Sequence, residues 1–209
     1  MPSLEWNRKW GAMLAGFTPS REEEHFGDRW GDPRLMKPLL AVRQRFVEPY
    51  LSPGQTIVEI GSGGGRWTQY LLRQARQVIA VELNPESFDH LARRFPQHAD
   101  RLRFYPTTGY EMAGIPAGTI DLVFSFDVFV HVEPAGIAQY LAEIERVLRP
   151  GGRAVLHYGD IDKPIARANP GFSRMTRARM ESLLARTRLT VLDHDTETVF
   201  HSNLVALAR

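Results

Sequence analysis

The chain of 209 residues contains no cysteine. That excludes disulfides, thiolate nucleophiles and thiolate-held metals together. Lysine is scarce: Lys9, Lys37 and Lys163 are the whole complement, and arginine supplies the rest of the basic residues. No stretch approaches the roughly 20 apolar residues of a membrane span. The start, MPSLEWNRKWGAMLAG, lacks the long apolar run of a signal peptide. The expectation is a soluble, cytoplasmic protein with no membrane partner. A strong excess of one charge is missing as well. The net charge is +2, so no nucleic-acid-binding arm is expected despite a pI of about 9.1.

What is present suits one domain. Hydrophobic residues make up 43% and charged residues 24%, enough for a sizeable core and a covered surface. From residue 55 the pattern alternates strand and helix. TIVEI (56–60), QVIAVEL (77–83), RLRFY (101–105), TIDLVFSFD (119–127) and RAVLHYG (153–159) read as strands. Between them, 65–75, 84–95 and 134–148 have helical spacing, with Asn84 as a candidate N-cap and Pro85 at the first helical position. A further helix over 176–187 carries an outward Arg177–Glu181 pair, and RLTVLDHDTE and NLVALA close the chain as a strand hairpin. Repeated strand–helix–strand units imply an α/β, doubly wound, mostly parallel seven-stranded sheet ending in an antiparallel hairpin. Residues 1–51, with a helix-like 34–51 interrupted by Pro38, read as a helical cap on a body of 52–209, all one domain.

The informative stretch is VEIGSGGGRW (58–67). Its glycines let the chain turn tightly from strand to helix and let a ligand approach bare backbone. Alone such a pattern is weak. Two details sharpen it. Arg66 stands where a dinucleotide fingerprint has its third glycine, and Glu59 ends the strand, where a carboxylate repels a pyrophosphate but attracts a cation. Glu82 ends the next strand, 21 residues after Gly61, the place of an acid that accepts both hydroxyls of a ribose. A ligand with a ribose, positive charge and no pyrophosphate fits this set.

With these residues the chain resembles the class I S-adenosylmethionine-dependent methyltransferases. The likeness rests on Glu59-Ile60-Gly61-Ser62-Gly63-Gly64-Gly65, on Glu82, on IDLVFSFDVFVHV (120–132) and on LRPGGRAVL (148–156), and it covers the chain from about 54 to its end. It implies S-adenosylmethionine as cofactor. Glu59 and the loop residues Gly61, Ser62, Gly63 and Gly65 would hold the methionine side. Glu82 would hold the ribose, Leu83 would pack on the adenine, and Trp67 and Phe126 would be further cofactor-binding residues. Many relatives carry an Asp that binds the adenine amino group; here Gly109 stands at or near that position, and Thr108, Tyr110 or Glu111 are the substitutes.

Methyl transfer is an in-line displacement on an activated carbon, so the protein mainly positions reactants and, where needed, removes a proton. His131 is the candidate general base; the alternative is that it caps the next helix or packs on the cofactor. The same stretch is similar to that of ubiquinone-biosynthesis O-methyltransferases, where an acid–acid–His cluster can hold a divalent metal. Here Asp127 and His131 remain but Val130 takes the second acid's place, so no metal is expected. His157, Tyr158 and Asp160 follow a strand end and are candidate substrate contacts or strand-end anchors, while His194 and His201 read as structural. In EEEHFGDRWGDPR (22–34), His25, Phe26 and Trp30 form either a lid over cofactor and substrate or an anchor for the cap. Seven basic residues between Lys163 and Arg188 either meet an anionic acceptor or form a solvated face. The leading expectation is a methyltransferase acting on an O or N atom of a small molecule such as a natural product, sugar or lipid-linked metabolite, with a homodimer possible. An RNA or protein methyltransferase is the alternative. A nicotinamide-dependent oxidoreductase or a non-catalytic nucleotide-binding module is the alternative from a different class, opposed by Arg66 and Glu59.

Overall fold

The computed structural model of the chain describes residues 2–19 and 24–209, with side chains from Lys9 onward in the first helix. Glu22 and Glu23 of the candidate lid segment lie outside the described residues. The chain opens with α1 (Pro2–Ala15), a single 3₁₀ turn at Asp28–Trp30, and α2 (Lys37–Val42), which runs on through a π turn at Arg43–Val47 and a 3₁₀ turn at Glu48–Tyr50. Pro38 does not interrupt this helix. It sits in the first turn, where its missing N–H has no intrahelical partner to lose.

The body follows as β1 (Thr56–Ile60), α3 (Thr68–Leu71), β2 (Gln77–Glu82), α4 (Glu86–Arg94), β3 (Leu102–Pro106), β4 (Ile120–Phe129), α5 (Pro134–Val147), β5 (Leu148–Gly159), α6 (Pro164–Arg167), α7 (Arg177–Leu184), β6 (Thr190–Asp195) and β7 (Ser202–Ala208). The sheet has seven strands in the order β3-β2-β1-β4-β5-β7-β6. β1 to β5 are parallel; β7 runs antiparallel to β5, and β6 antiparallel to β7. β1 is central and buried along its whole length, as a β-branched apolar run between two parallel neighbours should be.

Successive side chains of β1 serve opposite faces. Ile57 joins the layer of α2, α3 and α4, with Phe46, Trp67, Tyr70 and Leu91, whereas Val58 and Ile60 join the layer of α5 and α7. The expected helix over 65–75 shrinks to one regular turn, because 65–67 are still occupied by the loop and Gly65 holds φ at +83°. Asn84 makes no side-chain cap; Pro85 is the N-cap, and the Ser87 hydroxyl donates to the Asn84 carbonyl at 2.8 Å.

Residues 37–50 belong energetically to the body. Val42, Phe46 and Val47 are fully buried on the sheet layer. Arg45 binds Asp193 of β6 at 2.7 Å and also reaches Asp195. The segment that sits as a cap is therefore shorter than 1–51. It comprises α1 and the stretch around 24–34, with the Leu14 carbonyl accepting from His90 Nε2 of α4 at 2.9 Å. Among the described residues no helix is long and apolar enough to cross a membrane.

Of the basic run between 163 and 188, Lys163 has turned inward. Its ammonium donates to the carbonyls of Thr196, Val199 and Ser202 at 2.6, 3.0 and 2.6 Å and so closes the β6–β7 connection. Arg177 and Arg188 instead pair on the surface with Glu181 and Glu145. Lys163→Met should strand three carbonyls and lower stability by about 1–3 kcal/mol. That corresponds to roughly 2–4 °C in Tm per kcal/mol for a chain of this size. Arg177→Met should leave Tm within about 1 °C, as expected of an exposed pair. A thermal melt of both variants checks this.

Candidate active site

The carboxyl ends of β1, β2 and β4 meet the residues that follow them at one rim of the sheet, the position where doubly wound sheets bind ligands. The loop after β1 is held by glycines at positive φ, among them Gly63 at +52°. A Cβ placed on Gly63 would meet nothing within 4 Å, so bare backbone faces open space there. Gly64 is the opposite case. A Cβ there would lie 2.7–3.0 Å from Phe26, so the cap rests directly on the loop. Val128 similarly covers Gly61.

Two acids grip this loop from below. Glu59 is 2% exposed, and its Oε2 accepts from the Thr68 hydroxyl at 2.6 Å. Burial pushes its carboxyl up to about 8, and the nearby Glu82 adds to the rise. Glu82, 7% exposed, accepts from the Gly63 amide at 2.5 Å and from the Ser62 hydroxyl at 3.2 Å. Burial raises its carboxyl to about 7, against the hydrogen bonds that favour its charge. Glu82 thus stands where the sequence places it, at the end of β2 beside open Gly63, with half-buried Leu83 next to it. Glu59 does not stand as a free charge at the entrance. It lies behind the loop, engaged with α3, because a β1 residue between two parallel neighbours has no route to solvent.

The loop after β3 is organised by Glu111. Its Oε1 accepts from the Thr107 hydroxyl, the Thr108 amide and the Thr108 hydroxyl at 2.9, 2.9 and 3.1 Å. Burial alone would raise this carboxyl; these donors outweigh it and hold it low. Its Oε2 lies 3.1 Å from where a Cβ on Gly109 would sit. Glu111 therefore occupies the space that a side chain at 109 would fill. Tyr110 packs on Gly136 and edge-on to Tyr140 at 5.4 Å, and the Tyr140 hydroxyl donates to the Gly109 carbonyl.

Other candidates turn out to be core. Trp67 and Phe126 are 4% and 5% exposed, 4.8 Å apart, and belong to the helix-covered layer on one sheet face rather than to the rim. His157 and Tyr158 are fully buried, so neither presents surface to a substrate. His157 stacks on Phe126 at 4.0 Å, places Nδ1 3.1 Å from the Asp127 amide and 3.2 Å from Asp127 Oδ1, and bonds the Ser202 hydroxyl through Nε2. The Tyr158 hydroxyl meets His194 Nε2 at 2.6 Å and accepts from Asn203, which also donates to Asp160. The long β5–β7 ladder turns these strand-end groups sideways into their neighbours.

At the rim itself sit Asp127, His131 and the cap. Asp127 binds Arg66, which also donates to the Trp30 carbonyl at 3.0 Å. Burial pushes the Asp127 carboxyl up, but His157 and Arg66 outweigh it and hold it well below the usual carboxylate range. His131 places Nδ1 2.7 Å from the Gly171 carbonyl. That fixes the tautomer with the proton on Nδ1 and leaves Nε2 as the basic atom. Burial lowers its pKa, more than the Gly171 bond raises it, so the ring is neutral near pH 7. Its ring lies 6.0 Å from Trp10 and 5.5 Å from Phe172, and Trp10 lies tilted 5.0 Å from Trp30. Phe26 packs between Trp30 and His90. His25 lies on the other side of this segment, in a polar cleft with Arg34, Arg73 and Arg94. Sequence reasoning missed Trp10, Thr68 and the site role of Arg66, whose partners are 36 and 61 residues distant. Among the described residues no group of three or more His, Asp or Glu gathers as a metal site.

Residues 58–156 match the model of a methyltransferase domain family. A ubiquinone biosynthesis O-methyltransferase of Xanthomonas axonopodis pv. citri is 29% identical over 135 residues, 62% of this chain and 55% of that protein. The chain thus spans about half the length of the curated relatives it matches. Among solved structures, the N-methyltransferase NodS of Bradyrhizobium japonicum superposes with a TM-score of 0.70 at 14% identity, covering 97% of each chain. A geranyl diphosphate C-methyltransferase of Streptomyces coelicolor gives 0.68 at 15% identity over 98% of each. These structural likenesses establish the fold.

The buried acids generate a pH test. Both carboxyls sit above their ordinary 4.5 in the folded chain. The folded state therefore holds protons that the unfolded chain has released, and the stability this gives is complete below about pH 4.5 and lost as pH rises to about 8. Glu59→Gln, neutral at every pH, should melt with the wild type near pH 5 and above it near pH 8.5. Thermal melts at both pH values check this; an unchanged difference between them would show that Glu59 does not titrate in this window.

Proposed function

We propose that the chain, whose residues 58–156 match a methyltransferase domain family, is a class I S-adenosylmethionine-dependent methyltransferase that transfers the donor's methyl group to an O or N atom of a small-molecule acceptor. One observation carries the donor half of this reading: Glu82, at the end of β2, accepts from the amide of Gly63, whose bare backbone borders open space. The residues fit S-adenosylmethionine. Glu82 suits the ribose hydroxyls, Leu83 an adenine face, and Glu111 the adenine amino group in place of the absent Asp at 109. When bound, that donor supplies an electrophilic methyl on a sulfonium. The likenesses to ubiquinone O-methyltransferases and to NodS support a small acceptor.

The chain's own part is to orient and to manage a proton. Trp10, Phe26 and Trp30 cover the rim and exclude water. His131 Nε2 accepts the proton released by the acceptor's hydroxyl or amine as the new bond to carbon forms, and Nδ1 stays on the Gly171 carbonyl.

Isothermal titration should detect S-adenosylhomocysteine binding and none of NAD; the reverse preference would end the proposal. Glu111→Gln should weaken S-adenosylhomocysteine about tenfold, the scale of one charged hydrogen bond. It should leave S-inosylhomocysteine, which lacks the amino group, unaffected. In a mass-detected methyl-transfer assay over a metabolite panel, His131→Ala should reduce turnover by about 10²-fold or more with S-adenosylhomocysteine affinity within about twofold. Unchanged turnover removes His131 as the base.

A further inference from the structure

Asp127 is the one described non-glycine residue at positive φ, 62°. Such a backbone is disfavoured for any residue with a side chain, and it persists where surrounding contacts over-determine it. Here they do so from two sides. Behind Asp127, His157 is 0% exposed; it meets the Asp127 amide and Oδ1 with Nδ1 and the buried Ser202 hydroxyl with Nε2. In front, the Asp127 carboxylate, still 37% exposed, binds an Arg66 guanidinium that is only 9% exposed. The second arm of Arg66 holds the Trp30 carbonyl at 3.0 Å. An unbroken series of contacts thus runs from β7 through β5 and the end of β4 to the glycine loop and into the cap.

The cap segment it reaches is the one pressed on the loop, with Phe26 against Gly64. Another tie holds the same segment on its far side, Asp28 to Arg94 at 3.2 Å, with Arg94 also on the Gly64 carbonyl at 2.7 Å. Releasing Arg66 from Asp127 would therefore leave the segment hinged at Asp28 rather than detached. A carboxylate carried on a left-handed backbone, a desolvated guanidinium and a main-chain carbonyl on the cap segment make a catch with a hinge opposite.

We propose that Arg66, Asp127 and His157 are positioning residues forming one latch, which holds the cap around Trp30 shut over the glycine loop and sets how fast the adenosyl donor enters and its demethylated product leaves. This rests on the donor-site reading above. His157 touches no ligand in this scheme; it keeps Asp127 turned toward Arg66. Because the latch is one series of links, breaking it at two places does no more than breaking it once.

Stopped-flow tryptophan fluorescence with S-adenosylhomocysteine tests it. Asp127→Asn and Arg66→Gln should each speed both association and release about tenfold, and the double variant should be no faster than either; His157→Gln should move both rates in the same direction. Hydrogen exchange of the unliganded Asp127→Asn protein should show faster exchange at residues 27–31 and unchanged protection in β4 and β5. Rates within about twofold of wild type, or single effects that multiply in the double variant, overturn the latch. So does protection lost throughout β4 and β5, which would make the network a fold-holding one. A wild-type protein that does not bind S-adenosylhomocysteine at all would instead defeat the donor-site reading.

Discussion

The rim of this protein depends on two carboxyls buried beneath one glycine loop. Glu59 holds the start of α3 through Thr68, and Glu82 holds Ser62 and Gly63. A loop of glycines has few side chains of its own with which to define a shape; here the acids underneath define it. Burial raises both carboxyls, and Glu82 adds to the rise of Glu59, so the loop rests on two acids held above the ordinary carboxylate range. This modifies the simple picture of a fixed negative charge that sorts cations from pyrophosphates. In the proposed donor site, a cationic ligand favours the ionised form of these acids and a pyrophosphate opposes it.

The cap completes what the loop begins. Trp10, Phe26 and Trp30 pack against one another and against His131 and His90, joining α1 and the stretch around 24–34 to both β2–α4 and β4–α5. His131 is therefore walled in by apolar rings, which lowers its pKa and keeps its ring neutral. The same enclosure thus lowers the pKa of the group proposed to take a proton there.

Much of the fold was legible, because a parallel sheet writes itself as short β-branched runs between amphipathic helices. The mostly parallel sheet with its closing antiparallel hairpin, Glu82 at the end of one strand and His131 just beyond another followed from that pattern; the strand order did not. What failed to show was direction within the rim. Phe126 and His157 lie near motif residues in sequence, yet strand alternation turns Phe126 toward Trp67, and the β7 ladder draws His157 onto Ser202. The burial of Glu59 could have been read from its place in a central strand. Arg66 with Asp127, between the glycine loop and the end of β4, and Trp10 with His131, between the cap and the rim, are pairings across 61 and 121 residues, and no local pattern announces them.

Arg45 has a consequence for how the molecule comes apart. Its guanidinium sutures the turn before β1 to β6, the edge strand nearest the carboxyl end, through Asp193 and Asp195. The outermost strand on that side is thus tethered both by β7 and by a segment from the opposite end of the chain. The first element to peel away on heating is then expected to be the aromatic cap, with this edge staying attached until the sheet itself gives way. An amino-terminal deletion stopping before Lys37 leaves the suture intact, whereas one reaching Arg45 frays the far edge of the sheet as well.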